Sequence, residues 1–156
     1  MSENLIPIEE TFYSDYFEGL ECQGVFLLRE DKAKLAWSQE IEPNSSSYFD
    51  LSDECWIVKG KPLFVGRWLE AFNNDDNNIV AEALRSTVQW SDETVIKFFA
   101  KKNAVFQTTW GEFLKVWDGF LTAEDDCPII IPEFNNSRLA FLFRPIGDIL
   151  FIRNDV

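Results

Sequence analysis

The sequence contains no histidine. That single absence removes the commonest general base, the commonest zinc ligand and every Ser-His or Cys-His nucleophile pair. Glycine is scarce, with 7 in 156 residues, and no Gly-x-Gly-x-x-Gly or Walker loop is present. Little is left from which to build a phosphate-cradling loop. The three cysteines, Cys22, Cys55 and Cys127, are odd in number, far apart and outside any Cys-x-x-Cys pattern. They read as free thiols rather than as a disulfide framework or a zinc site. Positive charge is also in short supply: 14 Lys and Arg stand against 27 Asp and Glu, for a net charge of -13. A nucleic-acid binder needs a basic footprint, and an anionic membrane surface would repel this chain. No run approaches the roughly 18 apolar residues of a membrane span. The acidic opening Met1-Ser2-Glu3-Asn4 lacks the apolar core of a signal peptide, so the expected compartment is the cytoplasm.

What the chain has in excess is aromatic carbon and acid. Hydrophobic residues make up 46% and aromatics 15%, with 15 Phe and 6 Trp. That is enough apolar surface for one core, and a single domain over 1–156 is expected. Residues 1–88 read as helix-rich, and 89–156 as a sheet with a central helix. The 27 carboxylates are the only remaining acid-base or hard-metal candidates, and they are scattered. Asn73-Asn74-Asp75-Asp76-Asn77-Asn78 is rich in oxygen ligands but lacks the glycine and distal glutamate of an EF-hand. No catalytic residue, metal or cofactor is assigned, and the chain is not expected to be an enzyme.

The strongest local pattern is Thr108 to Leu121. Trp110, Phe113, Leu114, Trp117, Phe120 and Leu121 recur at helical spacing, and Glu112, Lys115 and Asp118 fall off that face. Thr109 followed by Glu112 fits a capping box. This helix is expected to carry the sheet. Upstream, residues 1–21 suggest an irregular or short helical lead-in. Val25–Leu28 reads as a short strand or a run into a helix, and Asp31–Ile41 as a helix stopped by Pro43. Phe49 and Leu51 suggest anchors in an acidic connection. Cys55–Val58 is β-prone. Phe64, Trp68, Leu69 and Phe72 suggest a helix over 63–72, and Asp76 or Asn77 could cap another over 79–88, with Ile79, Ala83 and Leu84 inward. Strands are expected at 94–99, 104–107, 139–144 and 149–152, with turns at Asn135-Asn136 and Pro145–Asp148. Pro128–Pro132, bracketed by prolines, suggests a strand end or an edge. The fold class is α+β: an antiparallel sheet of about five strands with helices packed mainly on one face.

The stretch Val88 to Phe99, then Thr108 to Phe113 and Trp117 to Leu121, resembles a small gammaproteobacterial family known only as a domain of unknown function. The likeness, which extends over about 64–131 and is looser from Trp68 to Leu84, rests on a tryptophan-and-acid strand, a Thr-Thr turn, an aromatic helix and an acidic loop before a strand. It implies a shared fold and brings no activity. The chain departs from that pattern at Cys127-Pro128, where glycine is expected before the proline.

Small, acidic, single-domain and without catalytic equipment, the chain also has the general character of bacterial toxin-immunity proteins. A toxin nuclease carries a positive cleft for phosphate, and a strongly acidic partner would be steered to it. The expected partner is therefore a basic protein such as a toxin domain, not a nucleic acid or a membrane. The expected contacts are the acidic loops Asp75-Asp76, Asp92-Glu93 and Glu124-Asp125-Asp126, with Trp110 at the first turn of the long helix. A housekeeping or scaffold domain, or an enzyme using carboxylates with a divalent metal, is the alternative.

Overall fold

The computed structural model describes residues 4–17, 24–124, 126–133 and 138–154. Eight strands form one sheet: β1 (Leu5–Pro7), β2 (Phe26–Leu28), β3 (Lys61–Arg67), β4 (Val95–Lys101), β5 (Ala104–Thr109), β6 (Ile129–Pro132), β7 (Leu139–Phe143) and β8 (Asp148–Arg153). Their order across the sheet is β1-β2-β5-β4-β6-β7-β8-β3, and every neighbouring pair is antiparallel. The helices are α1 (Glu30–Glu40), α2 (Trp56–Lys59), α3 (Leu69–Asn73), α4 (Asn77–Thr87) and α5 (Trp110–Ala123). The α+β class and the antiparallel pairing hold, but the sheet has eight strands where about five were expected.

The additional strands come from the chain's first half. β1, at three residues, is too short to show an alternation, β2 is the short strand that Val25–Leu28 offered as one of two readings, and β3 was expected to be helix. The apparent helical stripe at Phe64, Trp68, Leu69 and Phe72 spans two elements. β3 ends at Arg67, and α3 begins at Leu69. Cys55–Val58 is corrected in the opposite sense. Trp56 and Ile57 are both buried while Val58 is exposed, a pattern that one helical turn permits and a two-residue alternation does not.

β6 is the other correction. Far from an edge, it lies between β4 and β7, with all four residues buried. Pro132 closes the strand, at its last position, where the missing N–H is cheapest to lose. Ile130 points to one face of the sheet and Ile129 and Ile131 to the other, so the uninterrupted apolar run marks a strand covered on both sides. β7 shows the same division: Phe141 and Phe143 enter one core, Ala140 and Leu142 the second.

Helices accordingly cover both faces. The larger core joins α3, α4 and α5 to Ile96, Phe98, Phe106, Phe141 and Phe143. The second joins Ala33, Ala36 and Trp37 of α1 and Trp56 and Ile57 of α2 to Phe99, Val105, Ile129 and Leu142. α5 lies where expected. Thr109 Oγ1 accepts from the Glu112 amide at 3.3 Å, and Trp110, Phe113, Trp117 and Phe120 are fully buried. The helix bends at Val116, yet the rings on either side of the bend share one core. In α4 the inward residues are Val80 and Leu84, while Ile79 is exposed. Phe49 is likewise exposed, whereas Leu51 packs against the second core as expected, with Tyr48 beside it.

Two turns carry left-handed backbone that matters here. Gly147, at φ +110, closes the β7–β8 hairpin and donates its N–H to the Arg144 carbonyl at 2.9 Å. Cys127 has φ +56, a region that costs an L-residue roughly 1–2 kcal/mol. Glycine, expected at this position from the family resemblance, would adopt that backbone without the cost. The Asn135-Asn136 turn and Cys22 lie outside the described residues.

Candidate functional site

The acidic loops are set by the ends of the helices in the larger core. Asp75 and Asp76 form the corner between α3 and α4, both exposed. Asp75 sits at φ +55, a conformation that aspartate tolerates better than most residues, so part of its role is to turn the chain. Asp92 and Glu93 are exposed in the connection from α4 to β4. Asp92 is tied at both ends: its carboxylate accepts from Arg85 at 2.9 Å, and its carbonyl accepts from the Gly111 amide. Glu124 is half-buried at the C-terminal end of α5, and Asp126 just beyond it is exposed. Asp125 lies outside the described residues.

Trp110 corrects the expected contact set. Its ring is fully buried, stacked on Phe141 with centroids 5.6 Å apart and edge-on to Trp90 at 4.8 Å. A first-turn ring can lean outwards only if nothing roofs it, and Trp90 roofs this one.

The acids do not form one cluster. Asp92-Glu93 and the pair Glu124 and Asp126 lie at opposite ends of the 14-residue α5, roughly 20 Å apart at 1.5 Å per residue. What unites them is the layer they belong to. Residues 68–94 and 108–126, which hold α3, α4 and α5, contain eleven acidic and two basic residues. Both bases are already engaged, Arg85 with Asp92 at 2.9 Å and Lys115 with Glu112 at 3.6 Å. Residues 29–62, which hold α1 and α2, contain seven acidic and five basic residues. The negative charge is thus concentrated over one face of the sheet.

The N-terminal turns extend that face and were missed as a site. Of two single turns of 3-10 helix, Ile8–Glu10 and Ser14–Tyr16, the second packs against α5 and the first against the second. Phe17 meets Phe120 edge-on at 5.0 Å, and Tyr13 meets Phe106 at 4.9 Å. Anchored by these buried rings, Phe12 is 77% exposed and Tyr16 40% exposed, with Glu9, Glu10 and Asp15 in solvent around them. Burial, then the charge and hydrogen bond of Glu124, push the Tyr13 hydroxyl up to about 12, so it remains a donor to that carboxylate. This bond joins the turns to the end of α5. The mixture of aromatics and acids in the first 21 residues was the available signal.

The opposite face holds an open cleft of about 470 Å³, lined by Trp56, Arg138, Lys59, Glu42 and Glu54 among others. Its charges are largely spent internally. Lys59 pairs with Glu54 at 2.7 Å, Glu42 accepts from the Ser52 hydroxyl at 2.6 Å, and the Arg138 guanidinium lies over the Trp56 ring at 5.7 Å. Cys55 opens onto it, but burial pushes this thiol up rather than down, the reverse of an activated nucleophile. Among the described residues no group of three or more His, Cys, Asp or Glu could hold a metal ion. Also among them, no helix is long and apolar enough to cross a membrane.

Comparison with known families matches the model described as "Protein of unknown function (DUF2947)" over residues 21–145. The chain belongs to that family, over a span wider than the 64–131 on which the resemblance was read. A search of curated proteins and a search of solved structures found no match.

Proposed function

We propose that this member of the family is a binding protein that docks a basic protein surface against the acidic layer formed by α3, α4, α5 and the N-terminal turns. In its most specific form the reading is neutralisation of a bacterial toxin, such as a nuclease, by covering its substrate cleft. The observation that supports it is the polarity of charge: among the described residues, ten acids against two paired bases over one face of the sheet, beside exposed Phe12 and Tyr16. Acids with no surplus of cations near them project a field that raises encounter rates with a positive surface. Exposed aromatic rings supply the desolvated anchor that charge alone lacks. A phosphate-binding cleft offers both the positive surface and a concavity for the rings. The same field disfavours nucleic acid and anionic lipid as partners.

The test is crosslinking in the native cell, identification of the bound protein, and stopped-flow association of the purified pair. A basic partner is expected, with an association rate falling at least about tenfold between roughly 20 and 300 mM salt. A rate flat with salt would overturn the reading. So would turnover by the isolated chain that a single Asp or Glu to Ala change abolishes.

A further inference from the structure

Positive charge is scarce in this chain, yet lysines gather at one place in it. A pocket of about 350 Å³ is lined by Lys34, Ser46, Ser47, Lys101, Lys102 and Asn103. No carboxylate and no ring belongs to that lining. Lys34 comes from α1, the serines from the loop that follows it, and the other three from the end of β4 and its turn into β5. None lies in α3, α4, α5 or the N-terminal turns, which make up the acidic layer.

Hydrogen bonds hold the three walls together. The buried Ser45 hydroxyl accepts from Trp37 Nε1 at 3.1 Å, which fixes the loop to α1 one turn beyond Lys34. The Lys102 amide donates to the Ser46 carbonyl at 2.8 Å, and its ammonium donates to the Pro43 carbonyl at 2.7 Å. These bonds fix the β4–β5 turn to the same loop. A ligand entering the pocket has only side-chain rotamers left to order.

The charge of these lysines is not spent internally. Among the described residues none of the three is in an ion pair. The bond from Lys102 goes to a neutral carbonyl, which leaves its charge uncompensated. Asp50, the carboxylate bonded to the loop, is occupied by the Ser46 amide at 3.0 Å, the Ser46 hydroxyl at 3.1 Å and the Ser47 amide at 2.8 Å. A space of this volume is about as wide as the screening length of ~8 Å at physiological salt, so the three ammonium groups repel one another. An anion seated among them relieves that repulsion.

The donor set decides which anion. The fork of arginine matches a planar carboxylate, whereas lysine binds phosphate as a point charge, and the lining holds lysine without arginine. The Ser47 hydroxyl and the Asn103 amide add neutral donors from two further segments. Side chains thus supply what glycine-rich backbone supplies in a phosphate loop. No ring is present for a base to stack on, and the volume is at the small end for ligand pockets.

We infer that this pocket binds the phosphate group of a small molecule, either free phosphate or a phosphate monoester. It shares no residue with the acidic layer and has the opposite charge preference, so either reading can fail without the other.

The experiment titrates the whole isotope-labelled chain with sodium phosphate, glycerol phosphate and succinate, at an ionic strength held constant with sodium chloride. Amide chemical shifts are the readout. Both phosphates should shift the amides of Ser46, Ser47, Lys101, Lys102 and Asn103 saturably, with a Kd of about 1 mM or tighter. Tighter binding of the ester assigns the site to an organic phosphate, and equal or weaker binding assigns it to the free ion. Lys34→Ala and Lys101→Ala should each weaken binding at least about fivefold. Both lysines are exposed, and unchanged shifts away from the pocket confirm that the variants fold. No saturable shift, shifts that map elsewhere, succinate binding as tightly as phosphate, or binding that survives the double substitution would overturn the inference.

Discussion

The amide of Gly111 donates to the carbonyl of Asp92 at 2.9 Å, and a Cβ on Gly111 would lie 2.7 Å from the Asp92 Cβ. The first turn of α5 is thereby pressed against the connection that leads into β4. No side chain fits between them, so Gly111→Ala should force one element off the other. Overpacking of this kind costs about 1–3 kcal/mol, read as an earlier urea midpoint with an unchanged slope.

Trp110 and Trp117 should both prove to be core. Replacing either with Ala removes a fully buried indole and should cost roughly 3–5 kcal/mol. Replacement with Phe separates them. Trp117 Nε1 donates to the Asn77 carbonyl at 3.1 Å, whereas Trp110 Nε1 meets no hydrogen-bond partner among the described residues. Trp117→Phe should therefore be the costlier of the two ring-conserving changes in chemical denaturation.

Acid stability should depend on Asp148. Arg144 grips this carboxylate through two hydrogen bonds, Nε at 2.7 Å and Nη2 at 2.6 Å, and these bonds hold its pKa below the usual carboxylate range. The folded state thus binds this proton less readily than the unfolded chain. The stability contributed is complete above the unfolded value of about 3.9 and is lost as pH falls through the lower folded value. Asp148→Asn should flatten that acid limb. Glu40 should act in the opposite sense. Burial raises its pKa despite Lys97 at 3.1 Å, so it favours folding while protonated and loses that contribution as pH rises past the normal carboxylate range. Glu40→Gln should remove this slope in midpoints measured across acid to neutral pH.

The Cys127 thiol should be inert in the folded protein. It is buried, and desolvation pushes its pKa up to about 12, so almost no thiolate exists at neutral pH. Mass spectrometry of the peptide containing Cys127 should show alkylation only after denaturant is added. Labelling in native buffer at the rate of a free thiol would show this turn to be open.

Phe12 should separate binding from folding. Its ring rests on Tyr13 with centroids 4.1 Å apart yet is mostly in solvent, so Phe12→Ala should change stability by no more than about 0.5 kcal/mol. If the acidic face carries the partner, affinity should fall by about 2 kcal/mol, or thirtyfold, in titration.

The sequence by itself determined most of the second half of the molecule. β4, β5, β7 and β8 were legible because alternating side chains and tight turns make a strand's period local information, and α5 because its rings recur over about three turns. It also determined the excess of acid and the absence of histidine chemistry. Only the tertiary structure decided how the short apolar pieces are used. Cys55–Val58 becomes a helical turn because Trp56 and Ile57 must both reach one core, and Ile129–Pro132 becomes central because α1 and α2 cover its second face. Runs of four residues carry no period, so their neighbours choose for them. The same holds for the surface. Trp110 looked available until Trp90 and Phe141 closed over it, and Phe12 became a candidate only once Tyr13 and Phe17 were seen to anchor its turn. Exposure depends on what packs above a residue, and a partner distant in sequence leaves no local trace.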